Sequence, residues 1–212
     1  MKVLAIIQAR TTSKRLPNKI LLLLDGKTVL EHCMSRVFGA KLIDQMVVAY
    51  PLGEASLPIQ KICANLDIMG FAGSEDDVLD RYYQCARLLK PKHIVRITSD
   101  CPLVDSDLID RVIAYHIAEN ATYTSNRLNE PAYPDGEDIE VFTFDALERA
   151  WKYSVMPYDR EHVSTFIKAD PSNKCCHYPA PCDMGDIKYS LDTMEDYEEI
   201  RRRYYGSDYI GY

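Results

Sequence analysis

The chain of 212 residues predicts an α/β domain of three layers, α/β/α, built on a mostly parallel mixed sheet. Two observations carry that expectation: short apolar runs that read as buried strands, and amphipathic helical stretches that separate them. Strand–helix alternation of this kind places helices on both faces of the sheet. A third observation sets the scale. A chain of this length buries enough surface to need no staples, and 47% hydrophobic with 27% charged residues is an ordinary globular balance. One domain over residues 1–212 is expected, because no repeat and no Gly-, Ser- or Pro-rich linker divides the sequence.

Strands are expected at Val3 to Ile7, Met46 to Ala49 and His93 to Ile97, with weaker candidates at Thr122 to Ser125 and Ile139 to Phe142. Apolar positions at three-and-four spacing predict helices over Val29 to Phe38, Leu57 to Leu66, Asp76 to Leu89, Ser106 to Ala118 and Phe144 to Trp151. Several sit behind a polar N-cap, with Ser74 and Asp105 as examples. The stretch from Asn126 to Asp138, with two prolines, a glycine and several acids, reads as a long loop that serves either as a substrate cover or as plain surface.

Net charge is −7 with dispersed basic residues, which argues against a nucleic-acid face, since such faces gather Lys and Arg into a stripe. Arg201-Arg202-Arg203 is the one basic triplet and fits the solvated side of an acidic helix. The opening apolar stretch, Val3 to Ile7, is too short for an export signal or a membrane span, so a cytoplasmic protein without membrane contact is expected. The seven cysteines are odd in number and scattered, which fits reduced thiols. Cys175, Cys176, His177 and Cys182 cluster but lack the two-residue gap of a zinc knuckle.

Three segments carry chemistry. Gln8-Ala9-Arg10-Thr11-Thr12-Ser13-Lys14-Arg15-Leu16-Pro17-Asn18-Lys19 places four cations directly after the first strand. By charge alone it fits either a basic surface loop or a cradle for a triphosphate, in which Arg10 and Lys19 would stabilise a leaving pyrophosphate. Arg96-Ile97-Thr98-Ser99-Asp100-Cys101-Pro102-Leu103 is a strand that ends in an acid, a fit place for a Mg²⁺ ligand, although a turn residue reads the same way. Ser190-Leu191-Asp192-Thr193-Met194-Glu195-Asp196 reads as a helix start, with Thr193 and Asp196 forming a capping box.

The strings Ile-Ile-Gln-Ala-Arg, Ser-Lys-Arg-Leu-Pro-Asn-Lys and Leu-Leu-Leu-Leu-Asp-Gly-Lys-Thr-Val-Leu-Glu resemble the opening of sugar nucleotidyltransferases, above all the SpsF-type cytidylyltransferases of surface-polysaccharide synthesis. CMP-Kdo and CMP-acylneuraminate synthetases look like more distant relatives. The resemblance implies a GT-A-like nucleotide-diphospho-sugar transferase (Rossmann-like) fold, CTP as donor, and a small acidic or phosphorylated acceptor. It implies that Gln8, Ala9, Arg10, Ser13, Lys19, Ser74 and Asp100 bind the nucleotide, with Arg10, Lys19 and Asp100 as the catalytic set. Asp100, in a Thr-x-Asp-Cys-Pro-Leu context, and Asp192, in a segment like Val-Asp-Thr-Pro-Glu-Asp-Leu, would hold Mg²⁺; Met194 stands where that pattern has proline.

The stretches Tyr133 to Glu140 and Tyr158 to Val163 also look like SpsF-type segments, so Asn126, Asp135, Glu140, Arg160, Glu161 and His162 are expected at the acceptor. Arg160 would hold a carboxylate or phosphate bidentately, and Glu161 or His162 would orient or deprotonate the attacking oxygen, although a histidine among charges also fits an ordinary surface position. Relatives commonly dimerise, and a homodimer is expected. Three other readings stay open at this level: transfer of another nucleotide, a GT-A glycosyltransferase with a nucleotide-sugar donor, and a non-catalytic nucleotide-binding protein.

Overall fold

A computed structural model describes residues 2–128 and 132–205. In chain order these form β1 (Val3–Gln8), β2 (Leu23–Leu24), β3 (Lys27–Thr28), α1 (Val29–Gly39), β4 (Gln45–Pro51), α2 (Leu57–Asn65), β5 (Met69–Gly73), α3 (Val78–Leu89), β6 (His93–Thr98) and α4 (Ser106–Ala118). There follow β7 (Tyr123–Ser125), β8 (Glu140–Thr143), α5 (Phe144–Tyr153), α6 (Pro157–His162), α7 (Thr165–Ala169), β9 (Cys175–His177) and α8 (Met194–Tyr205). Residues 129–131 of the long loop anticipated from Asn126 to Asp138 lie outside the described residues.

Seven strands make the main sheet in the order β5-β4-β1-β6-β8-β7-β9. All run parallel except β8, which is antiparallel to both β6 and β7. The pleat sends alternate side chains to opposite faces. Val3, Ala5 and Ile7 of β1 therefore join a core under α1, α2 and α4, while Leu4 and Ile6 join a second core under α3, α5 and α7. A third, smaller cluster seats α8: Ile200 and Leu191 pack with Leu24, Val29 and Leu103. The fold is the three-layer arrangement expected.

Local chemistry explains the helix starts. Thr28 and Glu31 form a capping box on α1, the Thr28 hydroxyl accepting from the Glu31 N–H and the Glu31 carboxylate from the Thr28 N–H. Asp105 caps α4 through the N–H groups of Asp107 and Leu108. The cap of α3 differs from the expectation: it is Asp77, accepting from the Asp80 N–H at 2.8 Å, and the helix begins at Val78. Ser74 lies one turn earlier, where its hydroxyl accepts from the Asp77 N–H at 3.0 Å. Asp25 and Gly26, both at positive φ, turn β2 into β3 as a two-residue hairpin requires.

In the main sheet, two strands escape the periodicity argument. β5 is an edge strand whose residues are exposed or half-buried, and all of β9 is half-buried, so neither displays an apolar run. A further feature without a sequence signal is a polar pair between β6 and β8. Arg96 of β6 faces Glu140 of β8 in register, with an Nη1–Oε2 distance of 2.7 Å. Glu140 is buried; its Oε1 accepts from Tyr123 at 2.6 Å and Ser164 at 2.7 Å. Burial alone would push this carboxyl up. Arg96, Lys168 and those two hydroxyls outweigh it and hold the pKa at about 2.

A histidine pair lies at the opposite end of the same strand. His93 Nδ1 is 3.0 Å from His116 Nε2, and His116 Nδ1 is 2.9 Å from the Thr124 hydroxyl. Burial, with His93 beside it, drives the His116 pKa down to about 3. Above pH 6.5 the ring is neutral folded or unfolded and contributes no pH dependence; below it, only the unfolded chain takes up the proton. Urea unfolding should therefore report a loss of about 2 kcal/mol from this site between pH 7 and pH 5. His116→Leu should flatten that limb, and an unchanged slope would remove the pair from the account. Glu140→Gln, which leaves the half-buried Arg96 without its carboxylate, should cost about 3 kcal/mol in the same assay; a loss below about 1 kcal/mol would mean that the pair behaves as a surface contact.

Candidate active site

Strand order reverses at β1. The chain passes from β1 to β4 and β5 on one side, then returns through α3 to place β6 on the other. In open α/β sheets the crevice at the carboxyl ends of two such strands is where ligands bind. Here it lies between the segments that follow Gln8 and Thr98, and the Ser99 N–H donates to the Gln8 carbonyl at 3.1 Å across it.

The loop after β1 is shaped by its own backbone. The Asn18 N–H donates to the Thr11 carbonyl at 2.9 Å, Asn18 takes the left-handed conformation (φ 59°), and buried Ile20 anchors the 3₁₀ turn Lys19–Leu21 that follows. Thr11 donates to the Ala55 carbonyl and Thr12 to Glu75, so the loop is held from the β4 and β5 sides as well. Ser13 is buried, Arg10 is exposed, and the Gln8 side-chain carbonyl accepts from Arg96 Nε at 3.2 Å. This geometry leaves Arg10 at the surface of the loop and turns Lys19 inward, with 8% of it exposed.

The Lys19 ammonium makes three contacts: Asp100 Oδ2 at 2.6 Å, Asp192 Oδ1 at 2.9 Å and the Leu191 carbonyl at 2.6 Å. One nitrogen thus joins the loop after β1, the tip of β6 and the segment before α8, three parts of the chain whose residue types separately suggest chemistry. The backbone joins the last two directly, since the Leu191 N–H donates to the Asp100 carbonyl at 2.9 Å. Burial would lower the Lys19 pKa, but the two carboxylates raise it above its ordinary value. Burial would likewise raise Asp192, and Lys19, Arg15 and Lys188 hold it below the usual carboxylate range.

Asp192 is aimed by its neighbours. Arg15 meets Oδ1 at 2.8 Å, and Lys188 lies 3.6 Å from Oδ2. Asp196 accepts from the Asp192 and Thr193 N–H groups and from Lys188 at 2.8 Å, while the Thr193 hydroxyl accepts from the Asp196 N–H. The capping box at the start of α8 therefore also fixes the backbone that carries Asp192. Lys188 and Asp196 were not among the expected site residues; only the box hinted at the second, and nothing in the string around Lys188 marked it.

The expected acceptor residues divide. Asp135 is close to this cluster: its Oδ2 accepts from the Ser190 hydroxyl at 2.7 Å, and its carbonyl accepts from the Tyr189 and Ser190 N–H groups. Glu161 and His162 are exposed on α6, where the His162 ring lies 4.3 Å from that of Tyr158. Arg160, expected to grip an acceptor, is instead engaged with Asp77 (Nη2–Oδ2 2.6 Å, Nε–Oδ2 2.9 Å) and the Trp151 carbonyl. Asn126 is fully buried, donating to the Glu137 carbonyl and accepting from the Ile139 N–H, and Glu140 is spent on Arg96 as described. Ser74 is exposed, and its carbonyl accepts from the buried Arg81 at 2.5 Å.

Two acid oxygens and one backbone carbonyl meeting at a single cation make a hard, oxygen-only donor set, the kind that suits a small divalent ion completed by water and phosphate. Among the described residues no group of three or more His, Cys, Asp and Glu side chains is arranged to hold a metal by itself, and no helix is long and apolar enough to cross a membrane.

The chain is similar in sequence and fold to known proteins. The spore coat polysaccharide biosynthesis protein SpsF of Bacillus subtilis is 32% identical over 216 residues, spanning 95% of this chain and 86% of that protein. A cytidylyltransferase from Leptospira borgpetersenii superposes with a TM-score of 0.92 at 30% identity, over 100% of this chain and 90% of the other. At 14% identity, CMP:2-keto-3-deoxy-manno-octonic acid synthetase, solved in complex with CTP, shares the fold with a TM-score of 0.72 over 95% of this chain and 97% of its own. The sequence model of the family described as "Cytidylyltransferase" matches residues 4–206, and the chain belongs to that family of nucleotide-transferring enzymes.

Proposed function

We propose that the protein transfers CMP from CTP to a small acidic or phosphorylated, sugar-like acceptor in surface polysaccharide or glycoconjugate biosynthesis, using Mg²⁺ and releasing pyrophosphate. The observation that carries this reading is the convergence of Lys19, Asp100 and Asp192 at the strand-order reversal, together with the relatives' names. Asp100 and Asp192 would hold the Mg²⁺, which when bound supplies charge neutralisation to the phosphates. Arg10, exposed at the mouth of the loop, and Lys19, released from its carboxylates, bind the triphosphate. Gln8, Ala9, Ser13 and Ser74 frame the nucleoside and the phosphate loop.

An acceptor oxygen attacks the α-phosphorus and the bond to the β-phosphate breaks, with no covalent link to the protein. Positioning and charge neutralisation account for most of the acceleration in such transfers, which is why the site needs cations more than a nucleophile. The acceptor is assigned to Asp135, which lies beside the Lys19 cluster through Ser190, and to Glu161 and His162, whose side chains are exposed on α6. A homodimer fits the exposed apolar group Tyr153, Val155, Met156 and Tyr158.

Pyrophosphate release with CTP, UTP, GTP and ATP, each with Mg²⁺ and a panel of sugar acids and phosphorylated sugars, tests the donor and the acceptor together. CTP should exceed the others by at least about a hundredfold in kcat/KM, and equal turnover of UTP would overturn the cytidylyl assignment. Asp100→Asn should lower kcat about a thousandfold or more while the thermal midpoint stays near that of the parent. Arg10→Ala should act mainly by raising the KM for CTP.

A further inference from the structure

The Lys19 contacts have a second meaning beyond phosphate binding. A buried ammonium satisfied by Asp100 Oδ2, Asp192 Oδ1 and the Leu191 carbonyl uses the same oxygens that a divalent ion would need. A lysine nitrogen is a compact point charge that replaces a hard cation well, and its three donors match these three acceptors. Asp192 has a further cation on the same oxygen, Arg15, at 2.8 Å. An incoming metal thus meets carboxylates that Lys19 and Arg15 already neutralise.

From this geometry we infer that Lys19 is a resident place-holder cation, so that the two aspartates do not take up a divalent ion until an anionic polyphosphate draws the ammonium away. The inference rests on the proposed assignment of Asp100 and Asp192 as metal ligands. It sets an order of events. Metal enters with the nucleotide or after it, since only phosphate oxygens offer Lys19 a partner of equal charge to replace the carboxylates it leaves. It also accounts for the close approach of the carboxylate pair: two acids that share one buried cation are stable together, whereas the same pair facing each other with none would repel.

The consequence runs against the ordinary effect of deleting a binding-site lysine. Lys19→Met should lose transfer activity yet bind Mn²⁺ more tightly in the absence of any nucleotide, by about tenfold or more, as followed by the loss of free Mn²⁺ signal in electron paramagnetic resonance. Mn²⁺ should also raise the thermal midpoint of Lys19→Met by more than it raises that of the parent, a readout that holds even where the variant is weakened. Adding Asp100→Asn to Lys19→Met should abolish the gain. If Lys19→Met binds Mn²⁺ no more tightly than the parent and gains no extra midpoint, the place-holder role is wrong. If the gain appears but survives Asp100→Asn, the carboxylates are not the metal ligands, and the assignment beneath the inference fails instead.

Discussion

The arrangement of the whole site depends on one buried ammonium. Lys19 holds together residues 19, 100 and 192, which belong to a loop, a strand tip and the approach to the last described helix. None of the three would be stable in that place alone. A lone lysine with 8% exposure, or two carboxylates side by side, would bear a desolvation or repulsion penalty that only the shared contact offsets. For the contact to form, β1 and β6 must lie adjacent, because each delivers its residue from the segment after its carboxyl end. The Leu191-to-Asp100 backbone hydrogen bond then brings the far end of the chain to the same point.

The framework was legible because it is apolar. β1, β4 and β6 announce themselves as short, mostly apolar runs, since both faces of a central strand are largely buried, although β6 also carries His93 and Arg96, and the helices between them keep an amphipathic spacing. β5 and β9 gave no such sign: they sit at the two edges, where half the surface is exposed and Met69, Gly70 and Cys176 serve as well as branched residues. Edge strands are defined by the neighbour they pair with, and pairing is not a local property. The displacement of the α3 cap from Ser74 to Asp77 has the same origin. Both side chains are competent caps, and Arg160, eighty-three residues away, bonds the one that ends up at the helix start.

The site was legible in a different way. The cation-rich loop and the aspartate at a strand tip could be read from residue types, while Asp192 drew its meaning from a resemblance and from a capping box whose second role appears only in three dimensions. Polar residues of the interior were the harder class. Glu140 and Asn126 look from sequence like any acid and amide near a loop, and nothing local distinguishes a carboxylate that meets a substrate from one that neutralises a half-buried arginine on the next strand. Arg160 shows the same ambiguity, having found its carboxylate within the protein.

The sharing of one site between residues so far apart has a consequence for the chain as it is made. Synthesis runs from the amino end, and the elements through β6 can assemble while later residues are still to be added. Ninety-odd residues separate Asp100 from Asp192, which at ordinary elongation rates is on the order of 5–20 s. During that interval a nascent chain presents Lys19 and Asp100 without the third member, so the proposed nucleotide cradle is unfinished. On the proposed assignment, ligand-assisted folding is therefore confined to the final stage, when the segment through Leu191 joins a sheet that has formed on the strength of its apolar core.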